Sequence, residues 1–170
     1  MKLKENLIFL GMMGAGKTSI GLIVSKKLKL NYVDVDQEIE KELGMKIQKI
    51  FETKGENYFR EIEEKITLKI LKKNNFIISI GGGAFLNQNI KREILRNHIS
   101  FWLNWDSKTL IERISNSFKR PVAFRASKTK LLDLINKRSK IYSKALYKID
   151  CENLTKNQIV KKILEIYENH

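Results

Sequence analysis

The sequence predicts a three-layer α/β domain, a five-stranded parallel sheet with helices on both faces, built around a phosphate-binding loop. Two observations carry this. Short apolar runs alternate with long amphipathic stretches along the chain, the pattern of βα units laid side by side. The segment Gly11-Met12-Met13-Gly14-Ala15-Gly16-Lys17-Thr18 satisfies G-x-x-x-x-G-K-[ST] at every position, after an apolar run and before an amphipathic one. The chain has 170 residues, which suits a single domain, 1–170, large enough to bury a core without disulfides or metals.

The elements follow in order. Residues 7–10, Leu-Ile-Phe-Leu, read as a buried strand, and 17–30 as a helix. Residues 32–34 form a second short strand. Helical patterns occupy 37–43 and 47–73, the latter divided by a break at Thr53-Lys54-Gly55. Residues 76–80 are a strand ending in three glycines, and 99–103 are another. A helix spans 107–114. Residues 115–126 lack periodicity and hold the only proline, Pro121. A helix over 129–146, a strand over 147–150 and a helix over 156–167 complete the pattern. In such a sheet, ligands bind beyond the carboxyl ends of the strands.

Net charge is +14, which suits an anionic partner, nucleic acid among the candidates. The lysines are dispersed among acids, as in Glu61-Ile62-Glu63-Glu64-Lys65, and no basic run is interleaved with aromatics. A solvated basic surface is therefore the preferred reading, with no nucleic-acid and no membrane partner. Cys151 has no second cysteine to pair with, which fits a reducing, cytoplasmic compartment. No apolar run is long enough to span a bilayer, and the charged, apolar N-terminus has no cleavage site before the glycine-rich loop.

The phosphate loop carries the first chemistry. Its glycines let successive N–H groups face one anion, and the following helix adds its positive end. Gly14, Ala15, Gly16, Lys17, Thr18 and Ser19 are the expected ATP-binding set. Lys17 reaches the β- and γ-phosphates, and the Thr18 hydroxyl ligates Mg²⁺. A guanine-specifying N-K-x-D is absent, as is D-x-x-G after a strand, so a switch GTPase is set aside. The strand over 76–80 does not end in aspartate, which leaves Asp34 as the candidate to meet Mg²⁺, through water.

Asp34-Val35-Asp36 puts two carboxylates at a strand end, and the two need not share a role. Asp36 can face an acceptor hydroxyl, or it can be the N-cap of the helix that follows, or both.

Several further segments resemble the shikimate kinases, over nearly the whole chain. Asp34-Val35-Asp36 is similar to that family's D-x-D. Phe59-Arg60-Glu61-Ile62-Glu63 is similar to its F-R-x-x-E. Gly81-Gly82-Gly83-Ala84 is similar to its glycine triplet, Arg120-Pro121 to its lid R-P, and Arg138-Ser139-Lys140-Ile141-Tyr142 to its R-x-x-x-Y. The resemblance implies a P-loop NTPase of the nucleoside-monophosphate-kinase-like kind, a monomer with a mobile lid at about 115–126 and an acceptor-binding helical segment at about 34–62. It implies transfer of the ATP γ-phosphate to the 3-hydroxyl of shikimate, in the pathway to chorismate and the aromatic amino acids.

It also implies roles. Arg60 and Arg138 hold the acceptor carboxylate, for which a forked guanidinium suits two oxygens. Asp36 binds ring hydroxyls and takes the proton, so the catalytic set is Asp36, Lys17 and Arg120. Gly81, Gly82 and Gly83 line the acceptor, with Gly82 and Gly83 offering N–H groups. Phe51 and Phe59 wall its apolar side, and Glu63 orients Arg60. Arg113 stacks on adenine, and Arg120 closes over the phosphates with them. The chain departs from the family in having Val122-Ala123-Phe124 after the R-P, where Leu-Leu is usual.

Each residue also has a plainer reading. Arg60 and Glu63 are spaced as a weak surface ion pair. Arg138 can be solvated in a lysine-rich helix, and Phe51 and Phe59 can be core. Trp102 and Trp105 are expected to pack beside a central strand. Cys151, His98 and His170 are given no chemistry, and neither are Met12 and Met13. Two other functions remain open: a gluconate or nucleoside monophosphate kinase with the same core, and a non-catalytic nucleotide- or nucleic-acid-binding P-loop protein.

Overall fold

The structure, a computed structural model, describes residues 5–116 and 127–170. Five parallel strands form one sheet in the order β2-β3-β1-β4-β5. They are β1 Leu7–Leu10, β2 Asn31–Asp34, β3 Phe76–Ser79, β4 Ile99–Asn104 and β5 Tyr147–Asp150. The described helices are α1 Lys17–Leu28, α2 Val35–Leu43, α3 Ile47–Leu71, α4 Gln88–Asn97, α5 Ser107–Ser115, α6 Lys128–Tyr142 and α7 Lys156–Glu168.

The central strand shows why both faces must be covered. Alternate side chains of a strand point to opposite sides. In β1, Ile8 and Leu10 join a core with α2, α3, α4 and α6, while Leu7 and Phe9 join a second core with α1 and α7. All four β1 residues are buried. Full burial of each such aliphatic side chain is worth about 1.5–3 kcal/mol, so the double layer is the main stabilising term. Because every strand runs the same way, all carboxyl ends meet at one edge.

Several boundaries differ from the sequence reading. The helix at 17–30 stops at Leu28, because Lys29 turns left-handed at φ 55° and closes the end by donating to Ser25 O. The helix at 129–146 stops at Tyr142. The break at 53–55 is Gly55, at φ 83° and ψ 171°, inside α3. Helix α4 is absent from the sequence reading although Ile90 and Ile94 stand one turn apart; it buries these two and starts where the Asn87 side chain accepts from the N–H groups of Asn89 and Ile90. A 3₁₀ turn, Ala84–Leu86, joins the glycine triplet to it.

The end of β2 corrects the reading of the two aspartates. Asp34, not Asp36, caps α2: its Oδ1 accepts from Asp36 N at 3.0 Å and from Gln37 N at 3.4 Å. The chain turns helical at Val35, so strand alternation does not govern the pair. Asp36 lies in the first turn of the helix, and its side chain is released from capping.

Candidate active site

The phosphate loop leaves β1 and enters α1 with Gly14 at φ 82° and Gly16 at φ 87°, conformations that cost a side-chain-bearing residue strain. Lys17 Nζ arches back over the loop, donating to Gly11 O at 2.8 Å and Met12 O at 3.0 Å. Thr18 Oγ1 donates to Asp34 Oδ2 at 2.8 Å, joining the start of α1 to the end of β2. Ser19 donates to Gly16 O at 3.1 Å and so braces the loop's last turn. Tyr32 approaches the same carboxylate at 3.4 Å and donates to Ser79 Oγ at 3.0 Å. Its ring excludes any side chain from position 21: a Cβ on Gly21 would lie 2.6 Å from Tyr32 Cε2. This explains a glycine in the interior of α1, where it is otherwise unfavourable.

Beside this loop the glycine triplet forms a floor on which the charged side chains lie. A Cβ on Gly81 would be 2.8 Å from both Asp36 Oδ1 and Glu63 Oε1. On Gly82 it would be 3.2 Å from an Arg138 guanidinium nitrogen, and on Gly83 it would be 2.7 Å from Arg60 Cζ. Three consecutive glycines are required because two carboxylates and two guanidiniums rest against backbone. The floor is pinned from below by Tyr142, fully buried, whose hydroxyl donates to Gly82 O in a short hydrogen bond. Burial pushes that phenol up to about 12, so it remains a donor.

Burial decides between the competing readings of the arginines. Arg60 reaches Glu63 Oε2 at 2.6 Å, and the Glu63 side chain is only 3% exposed, so the pair is no solvated surface contact. Burial raises the Glu63 carboxyl above its ordinary range, while Arg60 and then Arg138 pull it back. Arg138 is buried as well, and its Nε, with no partner among the described residues, is an uncompensated donor in the site. Phe51 and Phe59 pack ring to ring at 4.7 Å. Phe59 is core and supports Arg60, whose Cζ stands 5.1 Å from its ring centre; Phe51 is half-buried.

Asp36 is the group whose titration is most informative. Its carboxyl is raised to about 6, first by burial and then by the charge of Asp34, against the opposing pull of Lys17. The carboxylate that rests on the glycine floor thus also feels the lysine of the phosphate loop. It is held ready to accept a proton near neutral pH, which an ordinary aspartate does poorly.

On the other side of the loop, Arg113 donates to Gly14 O at 3.2 Å and lies over the Trp105 ring at 3.8 Å. Trp102 packs in β4 as expected, but Trp105 donates to Ala15 O at 2.9 Å and belongs to the phosphate loop's support. Arg120 and nearly all of the segment at 115–126 lie outside the described residues. Cys151 is buried with its thiol pushed up to about 12 by burial, which suits no nucleophile.

A phosphate loop after the first strand, in a parallel sheet of this strand order and beside a closed acceptor floor, defines a P-loop kinase acting on a small molecule. A family model for shikimate kinase matches residues 13–168. Shikimate kinase of Persephonella marina is 37% identical over 160 residues, covering 94% of this chain and 97% of that protein. That of Bacillus subtilis is 38% identical, covering 95% and 88%. The structure of shikimate kinase from Acinetobacter baumannii in complex with shikimate superposes with a TM-score of 0.91 at 27% identity, covering 97% of this chain and 93% of that one. The chain belongs to the shikimate kinase family.

Proposed function

We propose that the chain transfers the γ-phosphate of ATP to the 3-hydroxyl of shikimate, giving shikimate 3-phosphate and ADP, with the residues of the glycine floor as its acceptor site. The observation that carries this reading is the convergence of Asp36, Arg60 and Arg138 on Gly81, Gly82 and Gly83, next to Lys17. The guanidiniums of Arg60 and Arg138 suit the acceptor's carboxylate. Shikimate bound there turns a hydroxyl toward Asp36 and the phosphate loop.

Asp36 takes the proton of the 3-hydroxyl as that oxygen bonds to the γ-phosphorus. The bond from phosphorus to the β–γ bridging oxygen breaks, and ADP leaves with that electron pair. Lys17 follows the phosphate charge as it moves, and the loop N–H groups hold the β-phosphate. The Thr18 hydroxyl and Asp34 carboxylate, oxygen donors 2.8 Å apart, fit a hard cation and are the groups that would hold Mg²⁺. Bound there, Mg²⁺ neutralises phosphate charge. The reading includes a cytoplasmic enzyme acting as a monomer.

Turnover measured with ATP and Mg²⁺ on shikimate, gluconate and AMP tests the assignment. Shikimate should be the preferred acceptor. Faster turnover on gluconate or AMP overturns it.

A further inference from the structure

A phosphate loop works only if its N–H groups face inward, which forces its carbonyls outward. Six carbonyls between Gly11 and Thr18 accept from side chains, among them Gly16 O from Ser19 and Lys17 O from Ser79. Lys17 takes Gly11 O and Met12 O from within the loop. Two more are taken from just beyond β4 and from α5: Arg113 donates to Gly14 O at 3.2 Å, and Trp105 Nε1 donates to Ala15 O at 2.9 Å. These two residues also hold each other, since the Arg113 guanidinium lies 3.8 Å from the centre of the Trp105 ring. The indole is half-buried and packs against the cores on both faces of the sheet, so it has little freedom to move. Arg113 itself is exposed and draws its orientation from the indole.

We propose that Trp105 is a positioning residue for the nucleotide: one side chain holds the outward face of the phosphate loop and presents the Arg113 guanidinium flat at the edge of the ATP site. Two separate interactions do this. The N–H anchors the loop carbonyl, and the ring face orders the guanidinium by cation–π attraction. Ordering both before ATP arrives lowers the entropy that binding must remove. The charged side chains on the glycine floor come from other elements, α2, α3 and α6, so the larger effect falls on the nucleotide. The proposal rests on the reading of this loop as the ATP site.

Trp105→Phe keeps a ring for Arg113 and removes the N–H donor. Trp105→Leu removes both. Steady-state kinetics with ATP and shikimate varied separately, together with calorimetric titration of ADP into each protein, test the idea. Losing a single hydrogen bond gives an expected rise of about three- to tenfold in the KM for ATP for Trp105→Phe. Trp105→Leu should exceed this, because the guanidinium loses its support as well. The KM for shikimate should stay within about twofold in both, which mere damage to the fold would not produce. An unchanged ATP KM in both variants, or equal rises in the two KM values, overturns the proposal. Failure of the wild-type chain to bind ADP overturns the nucleotide-site reading and the proposal with it.

Discussion

Thr18 and Asp34 meet at 2.8 Å, hydroxyl to carboxylate, and the other oxygen of Asp34 caps helix α2. One carboxylate thereby ties the phosphate loop's helix to the helix that carries Asp36. The two oxygens make separable predictions. Asp34→Asn keeps a capping oxygen, because asparagine caps about as well as aspartate. It should leave Tm nearly unchanged while weakening Mg²⁺ binding, read as a higher Mg²⁺ concentration for half-maximal rate. Asp34→Ala should additionally lose about 1 kcal/mol of stability with the cap. A Tm equal to wild type for Asp34→Ala would show that the cap is worth nothing here.

Asp36 sets activity against stability. Its carboxyl is raised to about 6 from an ordinary 3.8. Between those values the folded chain binds the proton more tightly than the unfolded chain, so stability falls as pH rises through this window, and above it the buried charge is a standing cost. Asp36→Asn should therefore raise Tm at pH 7.5, by about 1–3 kcal/mol in stability, and lower kcat by about 10²-fold or more. The wild-type kcat should decline as pH drops below about 6, where the base is protonated. A variant with lower Tm and normal kcat would make Asp36 a structural residue.

The acceptor's carboxylate is unchanged by the reaction, so the arginines proposed to hold it should contribute binding common to ground and transition states. Truncating one partner of a buried charged pair costs about 2–5 kcal/mol. Arg138→Ala should raise the KM for shikimate by about 30-fold to beyond 10³-fold, with a smaller change in the KM for ATP. Arg138→Lys should recover part of the loss, since one ammonium does not fork onto two oxygens. A shikimate KM unaffected by Arg138→Ala removes that arginine from the acceptor site.

Gly83→Ala adds a methyl group 2.7 Å from Arg60 Cζ. The guanidinium is the mobile end of a side chain and can retreat, so the fold should survive. The expected outcome is a shikimate KM raised by about tenfold to 10²-fold at a Tm close to wild type. A large fall in Tm would place the methyl group against something less yielding than Arg60.

Asn6 lies at the opposite edge of the sheet and should behave in the reverse way. It is fully buried, its amide donates to Leu71 O at 3.1 Å and Lys73 O at 2.6 Å, and its carbonyl oxygen accepts from Phe76 N at 3.0 Å. One side chain thus fastens the end of α3 and the start of β3 to β1. Asn6→Ala strands all three backbone groups and should cost about 2–4 kcal/mol, measured by urea denaturation, with kcat unchanged while the chain remains folded. A kcat that falls in proportion at low temperature would contradict a purely structural role.

The local and periodic part of the protein is legible in its amino-acid sequence. The phosphate loop is legible because its left-handed glycines, its lysine and its threonine act within eight consecutive residues, and the five strands are legible because their apolar runs repeat between helices. The later motifs, read together with the loop, pointed to the family and to the residues now found on one floor. Contacts between distant parts of the chain were decided only by the tertiary structure. Thr18 finds Asp34 across 16 residues, Trp105 finds Ala15 across 90, and Tyr142 finds Gly82 across 60. No periodicity encodes such pairs, because each depends on which strand ends the parallel sheet brings to the same edge. The same packing buried Glu63 and Arg138, which spacing alone leaves as surface charges, and let Asp34 take the cap. Helix α4 was legible in principle, since its Asn87 cap and the Ile90–Ile94 pair one turn apart are both local signals. Chemistry is written in residue types, whereas burial and partnership, which tune that chemistry, exist only once the layers close.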